Sequence, residues 1–260
     1  MSRIAWVGEH AVDGRVLFRI GRDGDVLVAE WPGLCELRSA RSGEHFTFSA
    51  SEGADKATVE KVRVGLAAAL VRHLRGETSV HASAVERNGR ALAFLGASGA
   101  GKSTLAAWMC HRRGWSLVAD DIARIVVDAD CVGVVPTERE HWLDAHSREA
   151  LGVEGRGGDV EREKQAIASP AAASAPARLT ALVSLAYGGS VDVTLTPLRG
   201  QRAMAALIPC LVRFVLDETD AHVAEMTRIE AILAKVSFLE LRAPREVGAL
   251  ARIVDVLEGL

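Results

Sequence analysis

The run Ala91-Leu92-Ala93-Phe94-Leu95-Gly96-Ala97-Ser98-Gly99-Ala100-Gly101-Lys102-Ser103-Thr104 constrains this chain more than any other stretch. Five apolar residues read as a buried strand, the spacing Gly-x-x-x-x-Gly-Lys-Ser follows, and an amphipathic segment comes next. A loop wrapped around phosphates must bring several main-chain N–H groups within hydrogen-bonding range. Small or absent side chains at Gly96, Ser98, Gly99, Ala100 and Gly101 permit that approach. Lys102 has the length to reach the β- and γ-phosphates, and Ser103 offers a hydroxyl to Mg²⁺. Thr104 stands in the first turn of the helix whose N-terminus adds a partial positive charge. Lysine is scarce, five residues against twenty-six arginines, so one where a compact charge is wanted is informative. The expectation is a strand, a nucleotide phosphate cradle and a helix. The competing reading is an ordinary Gly-rich turn.

With 260 residues and 49% hydrophobic content, the chain can bury a large core, in one domain or a domain with a smaller appendage. A net charge of −3 and no basic stripe interleaved with aromatics disfavour nucleic acid as a partner. Cys35, Cys110, Cys131 and Cys210 are far apart and form no Cys-x-x-Cys pair, which suggests neither a zinc site nor a disulfide framework. The start Met1-Ser2-Arg3-Ile4-Ala5-Trp6 holds no signal-peptide core, and no apolar run is long enough to span a bilayer. The expected location is the cytoplasm, away from membranes.

Short apolar runs and turn signals over 4–49 predict a small antiparallel sheet. Val59, Val62, Leu66, Ala69, Leu70 and Leu74 recur at helical spacing and predict one amphipathic helix over 55–75. From 79 to 135 the pattern gives a strand at 79–85, a turn at Asn88-Gly89, the strand and loop already described, and a helix to about Arg113. Strands are then expected near 116–119, 123–127 and 131–135. The stretch 155–178, rich in Gly, charge and then Ser, Pro and Ala, reads as an exposed loop or flap. Strands at 179–185 and 191–195 follow, joined by Tyr187-Gly188-Gly189-Ser190. Thr196-Pro197 is the expected start of a helix kinked at Pro209. Helices over 220–235 and 245–258 flank a strand at 237–241. The domain expectation is a β-rich region with a helix over 1–76 and an α/β nucleotide core over 77–260.

Leu117-Val118-Ala119-Asp120-Asp121 ends an apolar run in two carboxylates, after the helix that follows the loop. A nucleotide core puts a metal-binding acid there, since the C-terminal end of a parallel strand faces the phosphates' crevice. One acid can sit in or near the Mg²⁺ shell while the other accepts the proton of an attacking hydroxyl. The alternative is a solvated turn. On spacing alone His81 reads more readily as a core histidine than as a site residue. Glu138, Arg139 and Glu140 follow a predicted strand, and one carboxylate is a candidate to complete the Mg²⁺ site; a solvated charge run competes. Arg162 and Lys164 are candidate cations that close over the phosphates, and Arg199 and Arg202 are candidate anion contacts that nothing separates from surface charge.

Three blocks in order, Ser79-Val80-His81-Ala82, residues 96–104, and Leu117-Val118-Ala119-Asp120-Asp121, resemble the catalytic core of the HPr kinase/phosphorylase family and its compact relatives. The close match spans about residues 78–135. It implies an α/β fold with a P-loop nucleotide-binding core of HPr-kinase type, a small N-terminal β-rich appendage and C-terminal helices. It also implies that His81 belongs to the active site, that 96–104 binds the phosphates of ATP, that Asp120 acts as base on a serine hydroxyl, and that Asp121 supports Mg²⁺. The bifunctional enzymes carry a later Glu-Ile-Arg-Gly-Leu-Gly-type segment. Here Pro136-Thr137-Glu138-Arg139-Glu140-His141-Trp142-Leu143 stands instead, and the N-terminal part is short, so the likeness favours kinase over phosphorylase activity. The closer resemblance is to compact kinases, including those encoded with lasso-peptide precursors, which phosphorylate a serine on a peptide. Pro136, Trp142-Leu143-Asp144, Leu151-Gly152 and Lys164 resemble the middle of those proteins. The resemblance implies a serine-bearing peptide or protein, or a small hydroxyl compound, as acceptor, and a homo-oligomer as one assembly. A nucleotide-binding switch or scaffold with slow hydrolysis is the second reading; no Asn-Lys-x-Asp guanine-reading segment is present.

Overall fold

The computed structural model describes residues 4–154, 156–159, 164–188, 191–214 and 219–260, with backbone alone for 156–159 and 219–222. Arg162, Gly155, Gly189 and Ser190, singled out above, lie outside the described residues. The described residues form a mixed α/β structure in two compact units, one drawn from Met1–Thr78 and Arg213–Glu225, the other from Ser79–Val212 and Met226–Leu260.

In the first unit β1 (Ala5–Val12), β2 (Arg15–Asp23), β3 (Val26–Trp31), β4 (Cys35–Ser39) and β5 (Phe46–Ala50) form an antiparallel meander in sequence order. The alternation in β4, with Cys35, Leu37 and Ser39 inward, is the period-two signature of a half-buried strand. Asp55 caps α1 (Lys56–Val62) by accepting the Thr58 N–H at 2.8 Å. The single helix expected over 55–75 is interrupted: a π-helical turn, Arg63–Ala67, joins α1 to α2 (Ala68–Leu74). The wider turn rotates the apolar stripe, so Val59 on one side and Ala67, Leu70 and Val71 on the other share one core with Leu27, Ala29 and Leu37.

The second unit opens with β6 (Thr78–His81), β7 (Ser83–Arg87) and β8 (Arg90–Leu95). Asn88 (φ 56°) and Gly89 (φ 76°) both adopt the left-handed region that a two-residue hairpin needs between β7 and β8. After the 96–101 loop come α3 (Lys102–Arg113), β9 (Ser116–Ala119), β10 (Ile122–Val127) and β11 (Val132–Val135). Then follow β12 (Glu140–Leu143), α4 (Ala145–Leu151), β13 (Arg156–Asp159), β14 (Lys164–Ala168) and β15 (Ala177–Tyr187). The remainder is β16 (Thr194–Pro197), α5 (Gln201–Leu207), α6 (Thr219–Lys235), β17 (Ser237–Ala243) and α7 (Leu250–Leu257).

Among the described residues the main sheet has nine strands, with the path β6-β10-β11-β15-β8-β7-β9 and β17 beside β15, followed by β16. β8, β15 and β17 run parallel, Ser184 opposite Leu95 and Tyr187 opposite Ala243. The core of this sheet is apolar on both faces. Ala93, Leu95, Val134 and Leu182 lie in one cluster, Phe94, Leu105, Met109 and Val183 in the other. Each fully buried Leu or Phe here stabilises the fold by about 1.5–3 kcal/mol.

Three further expectations are corrected. The stretch 155–178 is not an exposed loop throughout: β14 pairs with β12, His141 opposite Ile167, and Ile167 joins Leu143, Leu151 and Ala107 in a small core. Its charged composition masks alternation too short to recognise. Thr196 and Pro197 end an edge strand against Glu240 and Leu239, where a residue lacking an N–H is tolerated, and the helix begins only at Gln201. The run before Asp120 is not paired to a parallel neighbour. β9 is antiparallel to β7, which is antiparallel to β8, so β8 and β9 run the same way with one strand between them.

Candidate active site

That topology brings the C-terminal ends of β8 and β9 to one edge of the sheet. The loop 96–101 leaves β8 there, and Asp120 and Asp121 leave β9. Gly101 (φ 78°) caps α3 in the left-handed region, open to glycine at no steric cost, and turns the loop into the helix. Lys102 Nζ donates to the Gly96 carbonyl at 2.8 Å and to the Ala97 carbonyl at 3.1 Å, folding back across its own loop. Burial pulls the Lys102 ammonium below the usual lysine value, and Asp121 pulls it the other way. Thr104 Oγ1 lies 2.7 Å from Ser147 Oγ, so its hydroxyl ties α3 to α4.

The two aspartates have different surroundings. Asp120 is 3% exposed; its Oδ2 accepts the Trp142 N–H at 2.7 Å and its Oδ1 accepts the Ser83 hydroxyl at 3.1 Å. The buried His141 Nδ1 stands 3.8 Å from the same Oδ1, and His141 Nε2 lies 3.2 Å from Ser169 Oγ. The Asp121 side chain is 48% exposed, with Oδ1 3.8 Å from His81 Nδ1. His81 reaches this place because β6 ends there: the next residue, Ala82, donates its N–H to the Asp121 carbonyl.

Glu138 completes an acidic group. Its Oε2 accepts the Asp120 N–H at 3.1 Å. Burial, followed by the nearby charges of Asp120 and Asp121, raises the Glu138 carboxyl to about 8. Among the described residues no three His, Cys, Asp or Glu side chains close around one point as a complete metal cage.

A cavity of about 490 Å³ joins these parts. Residues 96–104, including every loop position named from the sequence, line it with His81, Asp120 and Asp121. Lys164, at the start of β14, lines it as well, as do Trp142, Asp144 and His146. Arg199 and Arg202 are not among the lining residues. On the far side of the loop stand Tyr187, Pro244, Arg245, Val247 and Leu250. Arg245 Nη2 donates to the Gly99 carbonyl at 3.1 Å.

No family model and no curated protein matches the chain. Among solved structures, the HPr(Ser) kinase/phosphatase from Coxiella burnetii aligns at 11% identity with a TM-score of 0.38, over 70% of this chain and 95% of that one. No helix of the described residues is long and apolar enough to cross a membrane.

Sequence reasoning did not anticipate Ser83, His141, Tyr187 and Arg245 as neighbours of the loop or the acids. Ser83 sat unremarked in the predicted strand, two residues after His81, and Tyr187 was the lone aromatic in a predicted turn. Arg245 carries no local signal; only the pairing of β15 with β17 brings it to the loop.

Proposed function

We propose that this chain is an ATP-dependent phosphotransferase that moves the γ-phosphoryl group onto a hydroxyl, that of a serine in a peptide or protein or of a small molecule. The observation that carries this reading is the joint lining of one cavity by Lys102 and Ser103 of the loop and by Asp120, Asp121 and His81. A phosphate cradle alone is common to switches and pumps. A fixed carboxylate facing it is what a hydroxyl acceptor requires.

Phosphoryl transfer passes through a loose transition state, so the protein contributes mainly position and charge. Lys102 exchanges the Gly96 and Ala97 carbonyls for phosphate oxygens, and the loop N–H groups orient the γ-phosphoryl group. Asp120, its rotamer set by Trp142 and Ser83, accepts the acceptor's hydroxyl hydrogen in a hydrogen bond. It takes the proton as the new O–P bond forms and the bond to the β,γ-bridging oxygen breaks. ADP leaves with that oxygen. Lys164 adds a cation beside the transferring group.

The residues present fit Mg²⁺. Ser103 and Asp121 offer hard oxygen ligands, and the negative charge of Asp120 and Asp121, which adds to burial in raising the Glu138 carboxyl, is what a divalent cation relieves. When bound, Mg²⁺ neutralises charge on the β- and γ-phosphate oxygens.

Phosphorus NMR of ATP, Mg²⁺ and a pool of serine-bearing peptides tests the reading. A new phosphoester resonance that depends on Lys102 supports it. Nucleotide-dependent binding of a partner with no phosphoester formed favours the switch instead.

A further inference from the structure

The cavity has two chemically distinct flanks, and the sheet order fixes which side of the loop each occupies. β8, which delivers the loop, has β7 and then β9 on one side and β15 and then β17 on the other. The first side brings the carboxylates of Asp120 and Asp121. The second brings Tyr187 at the end of β15, register partner of Ala243, and then Pro244 and Arg245 beyond β17. Val247 and Leu250, on the segment entering α7, add apolar surface, and Glu246 between Arg245 and Val247 lines the cavity as well.

We infer that the β15–β17 flank is the nucleoside subsite, where the base of the donor nucleotide stacks on Tyr187 and packs against Val247 while Arg245 reaches the α- and β-phosphates. This rests on the phosphotransferase reading above and deepens it by giving the bound nucleotide a direction. Four observations support it. The Tyr187 ring abuts the loop: a Cβ placed on Gly101 meets Tyr187 Cε2 at 3.5 Å. Tyr187 and Val247 are both partly buried against one core cluster and both line the cavity, so the ring and the aliphatic side chain share one support. Arg245 already hydrogen-bonds the loop at the Gly99 carbonyl, so its guanidinium is within reach of phosphates seated there. The opposite flank holds Asp120 and Asp121, the carboxylates that the reading above assigns to the acceptor's hydroxyl and to the metal, so the space left for the nucleoside is on the β15–β17 side. The nucleotide therefore enters over β15 and β17, and the acceptor over β9.

The stacking surface on this flank is the Tyr187 ring, with Val247 beside it. Recognition by stacking tolerates any base, with the larger purines gaining most.

Isothermal titration of the full chain with Mg·ATP and with Mg·tripolyphosphate tests the subsite, since the second ligand carries the phosphates without the nucleoside. The wild type should bind ATP more tightly than tripolyphosphate. Tyr187→Ala should weaken ATP by at least about fivefold, leaving tripolyphosphate within about twofold, and Tyr187→Phe should restore ATP affinity. Val247→Ser, on a different segment, should also weaken ATP selectively and guards against local unfolding around Tyr187. Equal weakening of both ligands in both alanine and serine variants, or no change in either, overturns the subsite. A wild type that binds the two ligands equally overturns it while leaving the phosphate site intact. A wild type that binds neither overturns the nucleotide reading itself.

Discussion

The main-chain N–H of Trp142 donates to Asp120 Oδ2 at 2.7 Å, so β12 holds the acid that closes β9 in one orientation. The Ser83 hydroxyl does the same from β7. Asp120 is thereby both a strut of the fold and the carboxylate nearest in kind to a positioned base. The Asp121 side chain is half exposed, beside His81.

Substitutions should separate the two roles. Asp120→Ala leaves the Trp142 N–H without the carboxylate it donates to, while the Ser83 hydroxyl keeps its 2.8 Å bond to the main-chain carbonyl of residue 120, and should cost about 1–3 kcal/mol of stability. Asp121→Asn should stay within about 0.5 kcal/mol of the wild type, as exposed positions do. Urea denaturation followed by circular dichroism checks both. Equal destabilisation by the two changes would count against the strut.

Lys102→Ala should weaken Mg·ATP binding by about tenfold or more, the scale of one charge-assisted hydrogen bond lost to phosphate. The folded chain should lose little, because the two carbonyls Lys102 now engages lie on a loop open to the cavity. Titration calorimetry reads the first effect and thermal melting the second. ATP affinity unchanged by the substitution would remove Lys102 from the phosphate site.

Glu138 gives the fold a pH dependence. Its folded-state value, about 8, lies above the ordinary 4.5, so between these values the folded chain holds the proton more tightly than the unfolded chain. The stabilisation is complete below about 4.5 and is lost as pH rises through 8, on the order of a few kcal/mol in all. In chelator, wild-type stability relative to Glu138→Gln should therefore fall from pH 5 to pH 8. Denaturation midpoints of the two proteins across that range measure it, and parallel profiles would contradict it.

Much of this was legible in the sequence because local chemistry was strong. The apolar run before Gly96, the Asn88-Gly89 turn and the helical stripe ending at Arg113 each signal through neighbours only, and β7, β8 and α3 form where those signals stand. The partition of Asp120 and Asp121 into buried and exposed was not legible, since it depends on Trp142 and Ser83, which arrive from distant strands. The strand over Lys164–Ala168 was hidden for a related reason: five residues of mixed polarity acquire a face only by pairing with β12. Arg245 reached the loop through sheet order, which no window of sequence encodes.

The most direct measurement is transfer of radiolabel from [γ-³²P]ATP to a library of serine-bearing peptides and small hydroxyl compounds, comparing the wild type with Asp120→Asn and measuring ATP binding by both in parallel. The expected result is label on an acceptor with the wild type, and loss of at least about a hundredfold in Asp120→Asn while ATP still binds. Near-normal transfer by Asp120→Asn, or bound ATP that yields only free phosphate with every acceptor, would contradict a hydroxyl kinase built on the 96–104 loop and Asp120.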